Sequence, residues 1–397
     1  MRIAFLTTFD PHDRRAWSGI LYYMFRSLER HCGTVVSLGS AGQGYYFAGK
    51  VIRRALRTLT RRNIDYARTV VFSKRLAAVF ERRLSKERFD IIFAPVASNA
   101  MAFLQSSVPV VRYEDVTARV FRDYGGHLLG LSPWSLRQCE LLESQALRRA
   151  DQVVFASEWA GRSAIEDYGA PESKISVIPM GANLDEVPSA QDIAAVRMQR
   201  SAGSCKLLFI GVDWERKGGD IALASLRELR GRGIDAKLTV VGCTPRAGVS
   251  DPAMHVIPFL DKNVPDQRRR LDELLLNSDF LLFPSRREAY GVVCCEANAF
   301  GLPVMASNTG GIPVWNEENG VLLPADASGR DYADQIQALL TNRERYLALV
   351  RSSRLIFETR LNWDSWGRSM SSVFDKAISK TVTISAHPAV LSIDDPA

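Results

Sequence analysis

The 397-residue sequence lacks several features that would place it in common protein classes. No apolar run reaches the roughly 18–20 residues that a helix needs to cross a bilayer. The first strand-like segment is not followed by G-x-G-x-x-G, which argues against a dinucleotide-dependent oxidoreductase. No D-x-D triplet occurs, and its absence argues against a metal-bridged diphosphate. We therefore predict no membrane-spanning helix and no metal in the site.

The six cysteines lack the spacing of a zinc site. Cys294 and Cys295 are adjacent within an apolar run, and the other four are isolated along the chain. We expect buried thiols in a reducing cytoplasm. The opening segment, MRIAFLTTFD, predicts a first β-strand and not a secretion signal.

Positive charge is concentrated in one stretch of the chain. Between Lys50 and Arg88 there are thirteen Lys or Arg residues against three Asp or Glu, while the whole chain carries a net charge of +7. Apolar residues recur at i, i+3, i+4 and i+7 from Ile52 to Leu59, which predicts an amphipathic basic helix. Nucleic acid, an anionic membrane or an acidic substrate would each fit this charge. Alternatively, the apolar stripe of this helix packs on the domain core and the arginines are merely solvated.

Strand-like and helical segments alternate in two series. The strand-like segments are continuous apolar runs, which suit parallel sheets covered on both faces. The polar stretch Asp185–Ser204 separates the first series from the second. We predict an α/β protein of two Rossmann-like doubly wound domains that face each other across a cleft, with ligands at the carboxyl ends of the strands.

The domain boundaries follow from these series. The first domain is predicted over residues 1–187 and the second over 200–362. The last helix, at about 365–379, is expected to pack back on the first domain. Residues 380–397 have no amphipathic pattern, and we expect a flexible tail.

The sharpest local pattern runs from Ser285 to Pro303. An apolar strand leads into a loop bearing Glu288 and then into a helix from about Gly291, whose free N–H groups could bind a diphosphate. Glycine at 291 allows close approach of the backbone. Glu296 could accept both hydroxyls of a ribose, and Glu288 would project toward a sugar. A solvated loop acid and a first-turn helix acid are the alternative interpretation.

Two further turns could hold phosphate groups. Arg216 and Lys217 lie between a strand and a helix, where fixed cations would stabilise a leaving nucleoside diphosphate. An exposed basic turn is the alternative. Gly19 follows Trp17 and Ser18 at the start of the first long helix, and this small-residue turn could admit a phosphate or an acceptor. Ser18 could also be a plain N-cap.

Two acids follow the apolar strand that ends near Arg112. Asp115 or Glu114 could orient an acceptor hydroxyl or accept its proton. An acid that caps the following turn is the alternative.

Taken together, these segments resemble the family-four glycosyltransferases, which are retaining enzymes of GT-B architecture. The similarity rests on the E-x7-E element Glu288–Glu296 and on the segments that follow it, which are Gly301-Leu-Pro303, Gly310-Gly311 and Gly320-Val-Leu-Leu-Pro324. It extends over about residues 1–380, since Val177-Ile-Pro179-Met-Gly181-Ala-Asn183 also matches.

The resemblance implies a role for each matching residue. Glu288 would contact the transferred sugar, and Glu296 the ribose. The diphosphate would contact Lys217 and Arg216, and the backbone at Gly291 and Val292, while Gly19 is the glycine turn of the first domain. The sequence departs from the family at Val212, where a basic residue is usual, and near Asp115, where many relatives have a histidine.

The implied function is metal-independent transfer of a hexose-type sugar, with retention, from a nucleotide-sugar to a glycan or lipid-linked acceptor. It would serve surface polysaccharide or glycolipid synthesis, with no cofactor besides the donor substrate and no nucleic-acid partner. We expect a cytoplasmic protein that contacts the inner face of the membrane through residues 50–88. A sugar isomerase on the same plan, or a catalytically inactive nucleotide-sugar-binding protein, remains the alternative.

Overall fold

The computed structural model describes residues 1–41, 63–124, 128, 130–198 and 203–385. The basic helix predicted from the apolar stripe at 52–59 lies outside these residues. The described chain forms two six-stranded sheets in which every ladder between neighbouring strands is parallel. The strands of the first sheet are β1 (Arg2–Phe5), β2 (Thr34–Ser37), β3 (Ile91–Pro95), β4 (Val110–Glu114), β5 (Gln152–Phe155) and β6 (Ile175–Val177). Those of the second are β7 (Ser204–Ile210), β8 (Asp235–Val241), β9 (Met254–Ile257), β10 (Phe280–Phe283), β11 (Val304–Ser307) and β12 (Gly320–Leu323).

Helices connect the strands and cover the two sheets. Those before β7 are α1 (Ile20–His31), α2 (Val70–Leu84), α3 (Ser98–Met101), α4 (Ala118–Asp123), α5 (Pro133–Arg149), α6 (Glu158–Glu166) and α7 (Ala190–Met198). Those after it are α8 (Gly219–Gly231), α9 (Pro265–Asn277), α10 (Val292–Ala299), α11 (Gly329–Thr341), α12 (Arg343–Thr359) and α13 (Trp363–Ser385). None of the helices in the described part of the chain has both the length and the apolar character needed to span a bilayer.

The order of the strands determines which loops become neighbours. The first sheet has the order β2-β1-β3-β4-β5-β6, and the second β12-β11-β10-β7-β8-β9. The direction of winding therefore reverses between β1 and β3, and between β7 and β10. Ligands of doubly wound sheets bind outside the carboxyl ends of the strands at such a switch point. In the second sheet, this rule points to the loops that follow β7 and β10.

The core is built from the apolar strands, as their composition predicts. Every residue of β3 and of β10 is buried. The six cysteines are free and buried, which confirms that part of the expectation. Side chains of α1, β3 and β4 share one buried cluster with α13.

The last helix returns to the first sheet. Trp366 is 1% exposed and packs edge-on against Phe93 and Tyr113, with ring centroids 5.9 and 5.6 Å away. The helix reaches Ser385, five residues beyond the expected start of the tail at 380. The difference has a physical reason, because extending an existing helix adds one hydrogen bond for each residue fixed, whatever its apolar pattern.

Candidate active site

The loops after β7 and β10 meet at the switch point of the second sheet. The backbone N–H of Arg286 donates to the carbonyl of Arg216 at 2.9 Å. Gly218 has a φ of +74°, and a Cβ there would lie 2.0 Å from the carbonyl oxygen of Pro284. Only glycine therefore allows the two loops to approach this closely.

This contact brings three charged side chains together. Lys217 forms an ion pair with Glu288, and each of these side chains is 12% exposed. The Arg216 guanidinium lies 3.5 Å from the same carboxylate and donates to the carbonyl of Arg287 at 3.0 Å. The ammonium of Lys217 also stands 4.7 Å from the ring centroid of Phe283, a cation–π contact. Lys217 is thus held on two sides.

The Glu288 loop is fixed from several directions. Arg286 donates two hydrogen bonds to Asp220, at 2.8 and 2.7 Å, and these hold the pKa of Asp220 below its usual range. A Cβ on Gly310, whose φ is +60°, would lie 1.8 Å from the carbonyl oxygen of Glu288. The hydroxyl of Tyr290 donates to the carbonyl of Met180, in the segment after β6, at 2.9 Å, and this hydrogen bond is buried.

The helix that follows begins as the sequence predicts. Gly291 is the N-cap of α10 with a φ of +84°, and Val292 is the first helical residue. Glu296, in the second turn, is only 2% exposed. Its carboxylate is not surrounded by apolar groups alone, because Lys262 donates to it at 2.5 Å.

A small pocket lies beside Lys262, between the start of α1 and α9. Its walls include Gly19, Tyr23, Asp185, Lys262, Arg268 and Asp272. Asp185 accepts from Arg14 at 2.7 Å and from Tyr23 at 3.0 Å, and it also pairs with Arg268. Burial raises the pKa of Asp272 to about 6, and the nearby Glu296 adds to this shift.

The Gly19 turn has an unusual backbone. Trp17, Ser18 and Gly19 have consecutive positive φ values of 46°, 57° and 85°. Gly19, not Ser18, occupies the N-cap of α1, and it has no side-chain cap. The interpretation of Ser18 as a plain N-cap is therefore wrong. Ser18 has a left-handed backbone, and its carbonyl accepts a hydrogen bond from the Asn183 side chain at 2.9 Å.

β4 extends to Glu114, beyond its predicted end near Arg112, and Asp115 follows it. The two acids point in different directions, because side chains alternate along a strand. Glu114 accepts from Ser98 at 3.0 Å and lies 3.7 Å from the buried Arg112, which donates to Glu143 at 2.7 Å. Burial raises the pKa of Glu114 to about 8. These contacts direct Glu114 away from the Lys217–Glu288 pair.

Asp115 lies on the side that faces the second sheet. Burial raises its pKa to about 6, a hydrogen bond with the Trp17 side chain opposes this shift, and the charge of Glu288 adds to it. Asp115 is therefore within electrostatic reach of the loop after β10.

Sequence reasoning missed Lys262 and the cluster around Asp185. Lys262 follows β9 at the carboxyl edge of the second sheet, which is the one signal that could have drawn attention to it. Asp185 begins a polar stretch whose sequence indicates only a linker. Val212, the departure from the family pattern, is 71% exposed at the same edge.

Two family models match the chain. The model described as Glycosyltransferase Family 4 matches residues 21–186, and the model described as Glycosyl transferases group 1 matches residues 204–342. Together they cover more than half of the chain. The D-inositol 3-phosphate glycosyltransferase of Corynebacterium kroppenstedtii is 25% identical over 264 residues, which are 62% of this chain and 57% of that protein. The chain thus spans less than two thirds of this relative.

Solved structures show the same architecture. Sucrose-phosphate synthase from Thermosynechococcus elongatus aligns with a TM-score of 0.66 at 15% identity, over 96% of this chain and 99% of that one. Anabaena HepE, in complex with UDP and glucose, aligns with a TM-score of 0.61 at 16% identity, over 95% and 100%. With two parallel sheets of the GT-B fold and a family match in each half, the chain belongs to the family-four glycosyltransferases.

Proposed function

We propose that this chain transfers a sugar from a nucleotide-sugar to an acceptor hydroxyl, with retention of configuration and without a metal ion. The observation that carries the proposal is the switch point of the second sheet, where Lys217, Arg216 and Glu288 meet within one ion-paired group. The helix start at Gly291 leads from this group to Glu296. The complex of HepE with UDP and glucose supports a uridine nucleotide-sugar as one donor to test.

Each side chain has a role that its position suits. Lys217 and Arg216, together with the N–H groups at the start of α10, would stabilise the charge that grows on the leaving diphosphate. Glu296 would accept the ribose hydroxyls, and Glu288 would contact the transferred sugar. These cations are fixed before the reaction begins, so the charge is stabilised without a metal ion.

The proposed step needs no dedicated protein base. The bond from the anomeric carbon to the diphosphate breaks, a bond from that carbon to the acceptor oxygen forms, and the acceptor proton moves to the departing phosphate oxygen. Asp115 would orient the acceptor hydroxyl. The acceptor is a glycan or a lipid-linked sugar, and the name of the curated relative adds an inositol phosphate to the panel to be tested.

The experiment is a donor and acceptor screen followed by one substitution. Binding of UDP-, GDP- and dTDP-sugars would be measured by thermal shift, since a ligand of the native state raises the apparent melting temperature. With the best donor, Glu296→Ala should reduce kcat/KM by about 100-fold, because a charged hydrogen-bond acceptor is lost. Glu166→Ala, an exposed acid at the end of α6, is the control. Full turnover by Glu296→Ala would refute the assignment of Glu296. Separately, the activity of the wild type is expected to be unchanged in EDTA.

We also propose contact with an anionic membrane through a surface formed by α2 and α5. The two helices are joined where the backbone N–H of Val70 donates to Gln138 at 3.0 Å. Their outward side chains include three exposed apolar groups, Val71, Trp134 and Leu141, at 59%, 50% and 42% exposure. The same two helices also carry exposed cations, among them Lys74, Arg82, Arg137 and Arg148.

The acids of the two helices do not neutralise this surface. Glu81 accepts from the backbone of Gln105, Glu140 pairs with Arg119, and Glu143 is buried. An exposed tryptophan on helices that also carry cations suits the headgroup region of a bilayer with anionic lipids.

Vesicle flotation tests this surface. Vesicles of phosphatidylcholine with phosphatidylglycerol should bind the chain, and Trp134→Ala with Leu141→Ala should weaken binding several-fold. Leu355→Ala, which alters a leucine of similar exposure (57%) on α12, is the control. Equal flotation with neutral vesicles, or no effect of the paired substitution, would reject the proposal.

A further inference from the structure

The carboxylate of Glu296 is neutralised by a lysine that can leave it. Glu296 has a side-chain exposure of 2%, whereas that of Lys262 is 35%. A buried carboxylate without a counter-charge is costly, so the pair explains how Glu296 is accommodated at this position. Lys262 is also one wall of the pocket beside Gly19. Its ammonium therefore stands between the carboxylate and the space where a ligand of that carboxylate would lie.

The backbone at Lys262 is well ordered by its neighbours. Asp261 accepts from the backbone N–H of Asn263 at 2.8 Å, and its own N–H donates to Gln267 at 2.6 Å. Val264 closes the turn with a hydrogen bond to the Asp261 carbonyl at 3.0 Å. The turn fixes where the side chain starts, while its long flexible stem allows the ammonium to move.

We propose that Lys262 is a phosphate-binding residue that exchanges partners when the donor binds. The inference rests on the proposed role of Glu296 as the ribose acceptor. Ribose hydroxyls would donate to Glu296 in place of the ammonium, and the ammonium would turn to the phosphate attached to the same ribose. The positive charge then stays near Glu296 and also compensates a second negative group. The exchange therefore replaces the ion pair between Lys262 and Glu296 with one between Lys262 and the phosphate.

The other lysine of the site has surroundings that do not favour such a movement. Lys217 is 12% exposed, forms an ion pair with Glu288 and lies over the ring of Phe283. It is a fixed cation. Lys262 is more exposed and lies on the pocket wall, so its ammonium has room to move, unlike that of Lys217.

The test compares ligands with and without phosphate. Binding of UDP and GDP would be measured by calorimetry, and binding of uridine and guanosine by saturation-transfer NMR. In Lys262→Met, affinity for the preferred diphosphate should fall about 10- to 100-fold, the range of one charged hydrogen bond. The dissociation constant for the matching nucleoside should differ between variant and wild type by less than about threefold. Lys262→Arg should recover most of the diphosphate affinity.

Other outcomes would overturn the inference. An equal loss for nucleoside and diphosphate would assign Lys262 only to the support of Glu296, and no loss for either would remove it from the site. Lys237→Met, at an exposed position on β8, is the matched control. Melting curves without ligand report on folding, and if Lys262→Met does not fold, Lys262→Gln carries the same comparison. Failure of the wild type to bind either diphosphate would reject the proposed function itself.

Discussion

The carboxyl edges of the two sheets are built differently, although the sheets share one plan. At the edge of the first sheet, backbone conformation is the unusual feature, since the non-glycine residues Trp17, Ser18 and Val96 all have positive φ. At the edge of the second, charge is the unusual feature, as in the pair Lys217–Glu288. A diphosphate demands fixed charges, whereas shaped backbone can receive a neutral hydroxyl group. The comparison predicts donor recognition by the second edge and acceptor recognition by the first.

The largest expected effect follows from removing the fixed cation of the second edge. Lys217→Met should reduce kcat by about 10²–10³-fold, because a preorganised charge at the leaving group is lost. Steady-state kinetics with saturating donor would measure it, and Lys237→Met is the control. A loss of less than threefold would mean that the charged edge does not act on the leaving group.

A smaller effect is expected when the charges remain but their placement changes. In Gly310→Ala the new Cβ would clash with the Glu288 carbonyl, at 1.8 Å, so kcat should fall by at least about 10-fold, the cost of a displaced catalytic group. Gly248→Ala is the matched control, because Gly248 also has a positive φ but has open space around it. Both variants carry the left-handed backbone cost of roughly 1–2 kcal/mol. Similar kinetics in the two would remove Gly310 from the positioning of Glu288.

The first edge should respond to pH. The pKa of Asp115 is raised to about 6, mainly by burial, so the carboxylate that would orient an acceptor is present above pH 6 and lost below it. The kcat of the wild type should therefore decline as pH falls through 6. Asp115→Asn should lower kcat by about 10-fold and flatten this limb of the profile. An unchanged profile would assign the limb to another group.

The smallest effect on kcat is expected at a buried acid that acts on stability. Glu114 faces away from the cleft, and burial raises its pKa from 4.5 to about 8. The native state therefore holds this proton more tightly than the unfolded chain, and the stability of the wild type should fall as pH rises from near 4.5 toward 8. Glu114→Gln should not share this fall, and the shift from 4.5 to about 8 corresponds to a difference of at most about 5 kcal/mol at pH 9. Urea unfolding across pH would measure it, with kcat expected to change little at pH 7.

Local patterns and topology together made much of this arrangement predictable. Apolar strands alternating with helices indicate two doubly wound sheets, and the motifs that contain Lys217 and Glu288 each follow a strand. Which strands become neighbours is a property of the whole sheet. The backbone hydrogen bond from Arg286 to Arg216 therefore cannot be predicted from the two local sequences.

Other parts could not be predicted because they depend on contacts between distant segments. Lys262 and Glu296 belong to different elements, and nothing in either local sequence specifies their pairing. The left-handed backbone at Ser18 is stabilised in part by Asn183, which is far along the chain. Glu114 and Asp115 were both candidates, and only the pleat of β4 and the position of Arg112 distinguish their directions.

The chain crosses twice between the two halves. The first crossing passes through Ala182 and the second through Leu361, and they are joined by a backbone hydrogen bond of 2.9 Å. A Cβ on Gly181 would lie 2.5 Å from the backbone nitrogen of Trp363, so the crossings are in close contact. Two bonded crossings resist twisting and sliding more than a single linker does, and bending about one axis is the easier motion. Each opening would then return the two edges to the same alignment.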